Sequence, residues 1–168
     1  MKSHNTLKKI IVAAIMMSMV IVLSMSAFSI PVPGGHMYLN DVVIVTAAIL
    51  LEPFPAFLAG GVGAFLGDFF FYPTPMFVSL VVHGLQALVI SFFSRKRKMS
   101  LSIAGVVIGW IITFVGYSLG RAFIYATPAM AIAKLPFQII QTAIGSTAAV
   151  LLTWKCGLVK VYDREIGQ

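Results

Sequence analysis

The sequence predicts an all-α fold: an integral membrane bundle of six transmembrane helices that forms a single membrane domain over residues 1–168. Hydrophobic residues make up 60% of the chain and charged residues only 10%, whereas about a quarter of an ordinary soluble domain is charged. The apolar residues lie in runs separated by short polar breaks, and these runs account for nearly the whole length. This composition leaves no segment for a separate soluble catalytic domain.

Polar breaks divide the chain into six predicted segments, each judged against the roughly 20 apolar residues that a span requires. The first run is too long for a signal peptide and ends at a loop rich in proline and glycine. Glu52-Pro53 separates the second run from the third, Pro73-Thr74-Pro75 marks a turn before the fourth, and a basic stretch at 95–98 precedes the fifth. The predicted segments are 10–30, a short 41–52, 56–72, 76–93, 101–124 and 133–154.

The positions of the basic residues predict the orientation. With an even number of helices, the basic residues of both termini and of the stretch 95–98 fall on one side, while only Arg121 and Lys134 fall on the other. Cytoplasmic loops carry the excess of Lys and Arg in membrane proteins. We therefore expect both termini in the cytoplasm, and we attribute the net charge of +7 to topology rather than to nucleic-acid binding.

A set of polar residues shares one depth in the predicted bundle. Counted at about 1.5 Å per residue from the cytoplasmic end of each helix, they lie about 17 to 26 Å above that end. Ionisable residues inside a membrane usually mark a site or a pathway. The layer therefore predicts a substrate-binding cavity that opens to the outside, with members Asp41, Asp68, His83, Tyr117, Gln138 and Gln141.

The loop before the second segment is expected to form a wall or lid of this cavity. The segment between Asp41 and Glu52 covers only about half a span, so the preceding loop should dip below the outer surface. Irregular backbone is tolerated there only where it lines a cavity or is buried in protein. The loop residues His36, Tyr38 and Asn40 are therefore added to the predicted site.

Each residue of the layer also has a structural explanation that the sequence leaves open. Asp41 could cap the second helix, Asp68 could pair with Arg121 or Lys134, and His83 could be a core histidine. The two glutamines could form hydrogen bonds between helices. Their common depth favours the cavity over these separate explanations.

Catalytic and metal sites have weaker support. Ser79 and His83 lie one helical turn apart, but no third group completes a nucleophilic site. His36, Asp41, Asp68 and His83 lack the spacing of a local metal-binding motif. The chain has no P-loop, and its single cysteine excludes an internal disulfide. We therefore expect no enzymatic activity, no cofactor and no metal.

The first helix carries a face that suits another membrane subunit. Ala14 and Ser18 have the small-xxx-small spacing that lets helix backbones approach closely, on a helix rich in methionine, whose side chains adapt to different partners. These two residues are the predicted partner-docking site. The same spacing at Gly63 and Gly67 in the third segment instead predicts close packing inside the bundle.

Three stretches together resemble the substrate-binding S components of energy-coupling-factor (ECF) vitamin transporters. They are residues 34–41, Leu50-Leu51-Glu52-Pro53, and residues 59–68. The family pattern has a glycine-rich first loop that ends in Gly-Asp, a helix with Gly-Gly-x-Gly, and an aspartate before a turn that contains tyrosine. Asn40 stands here where the family usually has glycine.

The resemblance implies a subunit of the cell membrane that captures a small vitamin or precursor from outside for ATP-driven uptake. It also implies a membrane coupling (T) subunit and two cytoplasmic ATPase subunits as partners, with docking through Ala14 and Ser18. Within the family, the chain most resembles the group assigned to pyridoxine or hydroxymethylpyrimidine. The alternatives are a metal-ion uptake subunit and a non-transporting membrane scaffold.

Overall fold

The computed structural model describes residues 2–25 and 28–166, with side chains from residue 6 onward. Within these ranges the chain forms seven helices and one two-stranded antiparallel hairpin. Their bounds are α1 Lys2–Leu23, β1 Ile30–Val32, β2 Gly35–Met37, α2 Asn40–Leu50, α3 Pro53–Phe71, α4 Met76–Ser94, α5 Met99–Tyr125, α6 Pro128–Lys155 and α7 Leu158–Glu165.

Five helices of the described chain are long and apolar enough to cross a membrane: α3 to α6 and the part of α1 from Thr6 to Leu23. The short α2 has 11 residues and is therefore only about 16 Å long, about half of a hydrocarbon core. The predicted helical membrane bundle is thus confirmed. The predicted number of six transmembrane helices is reached only if the half-length α2 is counted.

The largest differences from the predicted boundaries lie near the hairpin. The first helix ends at Leu23 instead of continuing to residue 30, because Ile30 pairs with Met37 and Val32 with Gly35 in the hairpin. Pro33 and Gly34 form its turn, and Gly34 and the first strand residue Gly35 have φ of +79° and +140°, values that favour glycine. The last long helix begins at Pro128, five residues earlier than expected, and the side chain of Thr127 caps it.

The short helix α2 lies at the centre of the bundle and packs against α1, α4 and α6. Nearly every residue along it is buried, as expected for a helix that is apolar on all sides. The small residues of α3 allow close approach to its neighbours: a Cβ on Gly61 would lie 2.8 Å from Gly84 Cα in α4, and one on Gly67 would lie 2.5 Å from Ser24 Cβ. The prediction of close packing by these small residues is confirmed.

At the end of the bundle away from the hairpin, Arg97 joins three elements. Its guanidinium donates hydrogen bonds to the carbonyl oxygens of Ile49 (2.7 Å) and Leu50 (3.0 Å), the last residues of α2. It also forms an ion pair with Asp163 of α7 at 3.0 Å and lies over the ring of Tyr162. The basic stretch 95–98 thus has a structural role in addition to its predicted effect on topology.

Candidate substrate-binding cavity

A cavity of about 260 Å³ lies beneath the hairpin, between α3, α4, α5 and α6. Eight of the nine residues predicted to bind substrate line it: His36, Tyr38, Asn40, Asp68, His83, Tyr117, Gln138 and Gln141. Five helices, α2 to α6, and the hairpin loop supply these side chains, so the fold brings together the residues that shared depth and the loop predicted. Their contact with a substrate stays a prediction.

Asp41, the ninth predicted residue, lies behind the cavity wall. Its side chain is only 2% exposed, and its Oδ2 accepts a hydrogen bond from Gln141 Nε2 at 3.0 Å. The amide oxygen of the same glutamine accepts from the backbone N–H of Tyr38 at 3.3 Å. Asp41 therefore orients a glutamine that does line the cavity, and it does not act as a side-chain cap for α2.

A chain of hydroxyl groups supports the carboxylate of Asp68. The phenol of Tyr117 donates to Ser79 Oγ at 2.6 Å, and Ser79 Oγ in turn donates to Asp68 Oδ2. Because the three residues come from α5, α4 and α3, this chain ties three helices together at the cavity wall. The carboxylate is only partly satisfied by this contact, since an ionised carboxylate can accept several hydrogen bonds.

The ring of His83 is also held in place by neighbouring side chains. Its Nδ1 lies 2.8 Å from Oε1 of Gln86, and its ring meets the ring of Tyr117 edge-on, with centroids 5.3 Å apart. An amide oxygen only accepts hydrogen bonds, so this contact favours the tautomer with the proton on Nδ1. In that tautomer Nε2 is a hydrogen-bond acceptor.

Aromatic rings form the part of the cavity nearest the hairpin. The His36 ring stacks between Tyr38 and Tyr72, with centroid distances of 6.2 and 5.9 Å. Burial raises the pKa of Tyr38 to about 12, so its phenol keeps its proton at neutral pH and can donate a hydrogen bond. Flat rings at such spacing suit an aromatic ligand, because offset and edge-on contacts are favourable.

Two buried cations, which were not among the predicted site residues, complete the lining. Arg121 lies at the start of a π-helical turn at the end of α5, and it donates to Gln138 Oε1 at 3.3 Å. Lys134 donates to the backbone carbonyl of His36 and so holds the hairpin against α6. In the described part of the chain, the ion pairs are Lys9–Glu52, Arg97–Asp163 and Arg164–Glu165. The structure therefore does not show the pairing of Asp68 with Arg121 or Lys134 that the sequence left open.

The sequence did not predict several other cavity residues, because nothing marks them as members of the polar layer at one depth in the bundle. Tyr72, Tyr125 and Met130 lie near helix ends, where an aromatic or methionine side chain is commonplace in a membrane protein. Ser79 was considered only as a nucleophile. A count of depth along α4 places Ser79 one turn from His83 and could have found it.

The glutamine Gln138 also forms hydrogen bonds between helices. Its Nε2 donates to the carbonyl oxygens of Thr113 (3.0 Å) and Phe114 (3.2 Å) in α5. The interhelical explanation that the sequence left open is thus present alongside the position at the cavity. Bridging of this kind fixes the separation of α5 and α6, which sets the width of the cavity.

Over residues 2–25 and 28–166, no group of three or more His, Cys, Asp or Glu side chains is arranged to hold a metal ion.

On α1, the predicted docking residues Ala14 and Ser18 lie on the outer surface of the bundle, in a shallow apolar groove with Ile11, Ile15 and Met19. Ser18 Oγ donates to Ala14 O at 2.9 Å, which leaves the groove with few free polar groups.

Comparison with known families identifies the class of protein. Residues 4–157 match the family model described as the S component of an ECF-type riboflavin transporter. The chain belongs to this family of ECF S components. An S component is the membrane substrate-binding subunit of an ECF transporter, and S components pair with a T subunit and ATPases. The family is a transporter component and not an enzyme family.

Related proteins agree with this family. This S component is 32% identical over 119 residues to a Pyrococcus woesei protein named from the gap 3′ region, a match that covers 69% of this chain and 80% of the relative. It is 28% identical over 137 residues to UPF0397 proteins of Streptococcus agalactiae serotypes Ia and V, covering 74% of this chain and 75% of each relative. The predicted S-component identity and multi-pass plasma-membrane location are confirmed.

Proposed function

We propose that this S component captures a small heteroaromatic vitamin or precursor, of the pyridoxine or hydroxymethylpyrimidine type, from outside the cell. The ligand binds in the cavity beneath the hairpin. The T subunit and two cytoplasmic ATPases then drive its uptake, with the T subunit docking on α1 at Ala14 and Ser18. Both termini lie in the cytoplasm.

The observation that carries this proposal is the pairing of flat rings with hydrogen-bonding groups in one small cavity. Tyr38 and His36 offer ring faces, while Asp68 and Gln141 offer acceptors and His83 offers a ring nitrogen. A compact ring with hydroxymethyl substituents can stack on the first pair and donate hydrogen bonds to the others. A ligand site of this kind, mostly apolar with a few placed polar groups, is typical for small molecules.

Riboflavin is the second candidate, and the description of the matching family model favours it. Its three fused rings and polyol chain make it much larger than pyridoxine. Binding it would require more room than the present cavity of about 260 Å³, so the hairpin residues Gly34, Gly35 and His36, which line one side, would have to move outward.

The experiment is calorimetric titration of the purified protein in detergent. The panel is pyridoxine, pyridoxamine, hydroxymethylpyrimidine, thiamine, riboflavin and divalent metal ions. We expect submicromolar binding of one small heteroaromatic compound. Asp68→Asn should weaken it at least tenfold, since a hydrogen bond to a charged group contributes about 1.5–3 kcal/mol. The matched control is Asp163→Asn, the same change at a carboxylate outside the cavity, which should leave the affinity unchanged.

Other outcomes decide between the alternatives. Tight binding of riboflavin alone would replace the proposed substrate class by the second candidate. A heat of binding on titration with a divalent metal ion, abolished by a chelator, would favour a metal-ion uptake subunit. Flat titrations of demonstrably folded protein across the panel would overturn the proposal and favour a scaffold role.

A further inference from the structure

Among the residues that the structure describes, no acidic side chain forms an ion pair with either cation of the cavity. Lys134 is 2% exposed and Arg121 is 8% exposed, and they are close enough to repel each other electrostatically. Lysine and arginine are almost never this deeply buried unless they are paired. Both therefore need an explanation beyond topology.

The groups that contact these cations in the described chain are all neutral. Lys134 donates to the backbone carbonyl of His36, and Arg121 donates to the amide oxygen of Gln138 and lies 5.7 Å from the ring centre of Tyr125. None of these carries a negative charge. The carboxylate that lines the same cavity, Asp68, is instead held by Ser79 and lies near His83.

The cavity therefore has two parts of opposite charge. One part has the two cations and the other has the carboxylate of Asp68, and all three side chains are buried. Removing charges from water is costly unless an opposite charge or several hydrogen bonds compensate. A bound molecule whose charges are arranged in the opposite sense would supply this compensation.

Building on the proposed function, we infer that the ligand carries an anionic oxygen, which binds between Arg121 and Lys134 while a hydrogen-bond donor of the ligand faces Asp68. This narrows the substrate class to heteroaromatic rings that bear an acidic group. Pyridoxine has this character, because its ring hydroxyl can transfer its proton to the ring nitrogen and leave a phenolate on the same ring as an N–H donor, in the meta position. Hydroxymethylpyrimidine has no such acidic oxygen.

The test compares ligands that differ in the acidic oxygen alone. The first pair is pyridoxine and its 3-deoxy analogue, which lacks the ring oxygen. The second pair is nicotinate and nicotinamide, an acid and its neutral amide of nearly the same shape. Calorimetry on the full chain should show at least about tenfold tighter binding of the acidic member in one pair, the size expected for a charge-assisted hydrogen bond. The pair that shows the preference identifies the acid as a phenolate or a carboxylate.

Variants test which residues bind the anionic oxygen of the ligand. Arg121→Gln and Lys134→Met should each bring the affinity ratio within the pair towards one, because they remove a cation while leaving the ring contacts in place. Arg95→Gln is the matched control, because Arg95 is exposed and lies outside the cavity. It should leave the ratio unchanged. If either cavity variant does not fold, the comparison of ligands on the unmodified protein still decides the question.

Two results would overturn the inference, and they have different meanings. If hydroxymethylpyrimidine or riboflavin binds tightly and neither pair shows a preference for the acid, the S component binds a vitamin but the inferred charge is wrong. If no compound of the panel binds to folded protein, the proposed function fails together with the inference. An acid preference that survives both Arg121→Gln and Lys134→Met would also contradict the assignment to these residues.

Discussion

The contact between the hairpin and α6 can be tested by replacing Gly34 with alanine. Gly34 has φ of +79°, and a Cβ on it would lie 2.5 Å from the carbonyl oxygen of Met130 and 3.0 Å from Lys134 Cβ. An ordinary contact begins near 3.4 Å. The hairpin of Gly34→Ala would therefore have to move away from α6 by about 0.9 Å, the difference between 3.4 and 2.5 Å.

The cost of this movement has two parts. Alanine in the left-handed region costs about 1 kcal/mol. The shift also weakens the hydrogen bond that the Lys134 ammonium donates to His36 O, and a hydrogen bond to a charged group contributes about 1.5–3 kcal/mol. Gly34→Ala should therefore destabilise the protein by about 3 kcal/mol. Gly157→Ala is the matched control, because Gly157 has φ of +81° with nothing within 4 Å of its added Cβ, so it should cost only about 1 kcal/mol.

Thermal unfolding in detergent, at one scan rate for all proteins, measures the two losses. At about 2–4 °C per kcal/mol, the midpoint of Gly34→Ala should fall clearly further than that of Gly157→Ala. Hydrogen exchange should also accelerate at the Tyr38 amide, which donates to Gln141 in the wild type, and should be unchanged there in Gly157→Ala. Equal losses of stability in the two variants, with unchanged exchange at Tyr38, would refute the argument that the hairpin rests directly on α6.

Two further predictions concern the other end of the bundle. Arg97→Ala should cost about 2 kcal/mol, because it removes two hydrogen bonds to the end of α2 and a half-exposed ion pair. Arg95→Ala, at an exposed neighbour of the same charge, should change the thermal midpoint little, and equal losses in the two variants would contradict the capping role. The hydrogen bond from Lys9 lowers the pKa of the Glu52 carboxyl, so its stabilisation is present above the ordinary pKa and is lost as pH falls through the lowered value. Thermal midpoints measured between neutral pH and about pH 3 should therefore fall less in Glu52→Gln than in the wild type. The difference corresponds to at most about 1 kcal/mol in the free energy of unfolding, since the carboxyl is largely exposed; identical curves would argue against the pair.

The sequence predicted the bundle and most of the cavity because both depend on simple counting. The length of apolar runs determines the helices, and the distance along each helix determines the depth of Asp68, His83 and Gln141. These residues meet because helices packed side by side keep equal depths adjacent. Counting does not give the direction of a side chain, which is why Asp41 was placed in the cavity although it points behind Gln141.

The roles of Arg121 and Lys134 could not be predicted in the same way. At the end of a membrane helix, a basic residue usually reaches water or lipid headgroups, so the sequence offered both cations only as possible partners of Asp68 and not as site residues. Arg121 is buried at the start of the π-helical turn of α5, and Lys134 is buried in α6, which begins early at Pro128. Neither feature has a pattern in the sequence that distinguishes it from an ordinary helix end.

The short buried helix α2 also determines how the membrane voltage is distributed across this subunit. Its residues Val43 to Leu50 are buried and almost all apolar, and they fill the bundle below the cavity over a layer that is only about half as thick as the bilayer core. An ion would have to shed its water to cross this layer, which is prohibitive in a medium of low dielectric constant. A ligand bound in the proposed cavity would therefore lie about halfway into the bilayer core while this layer keeps the membrane electrically sealed.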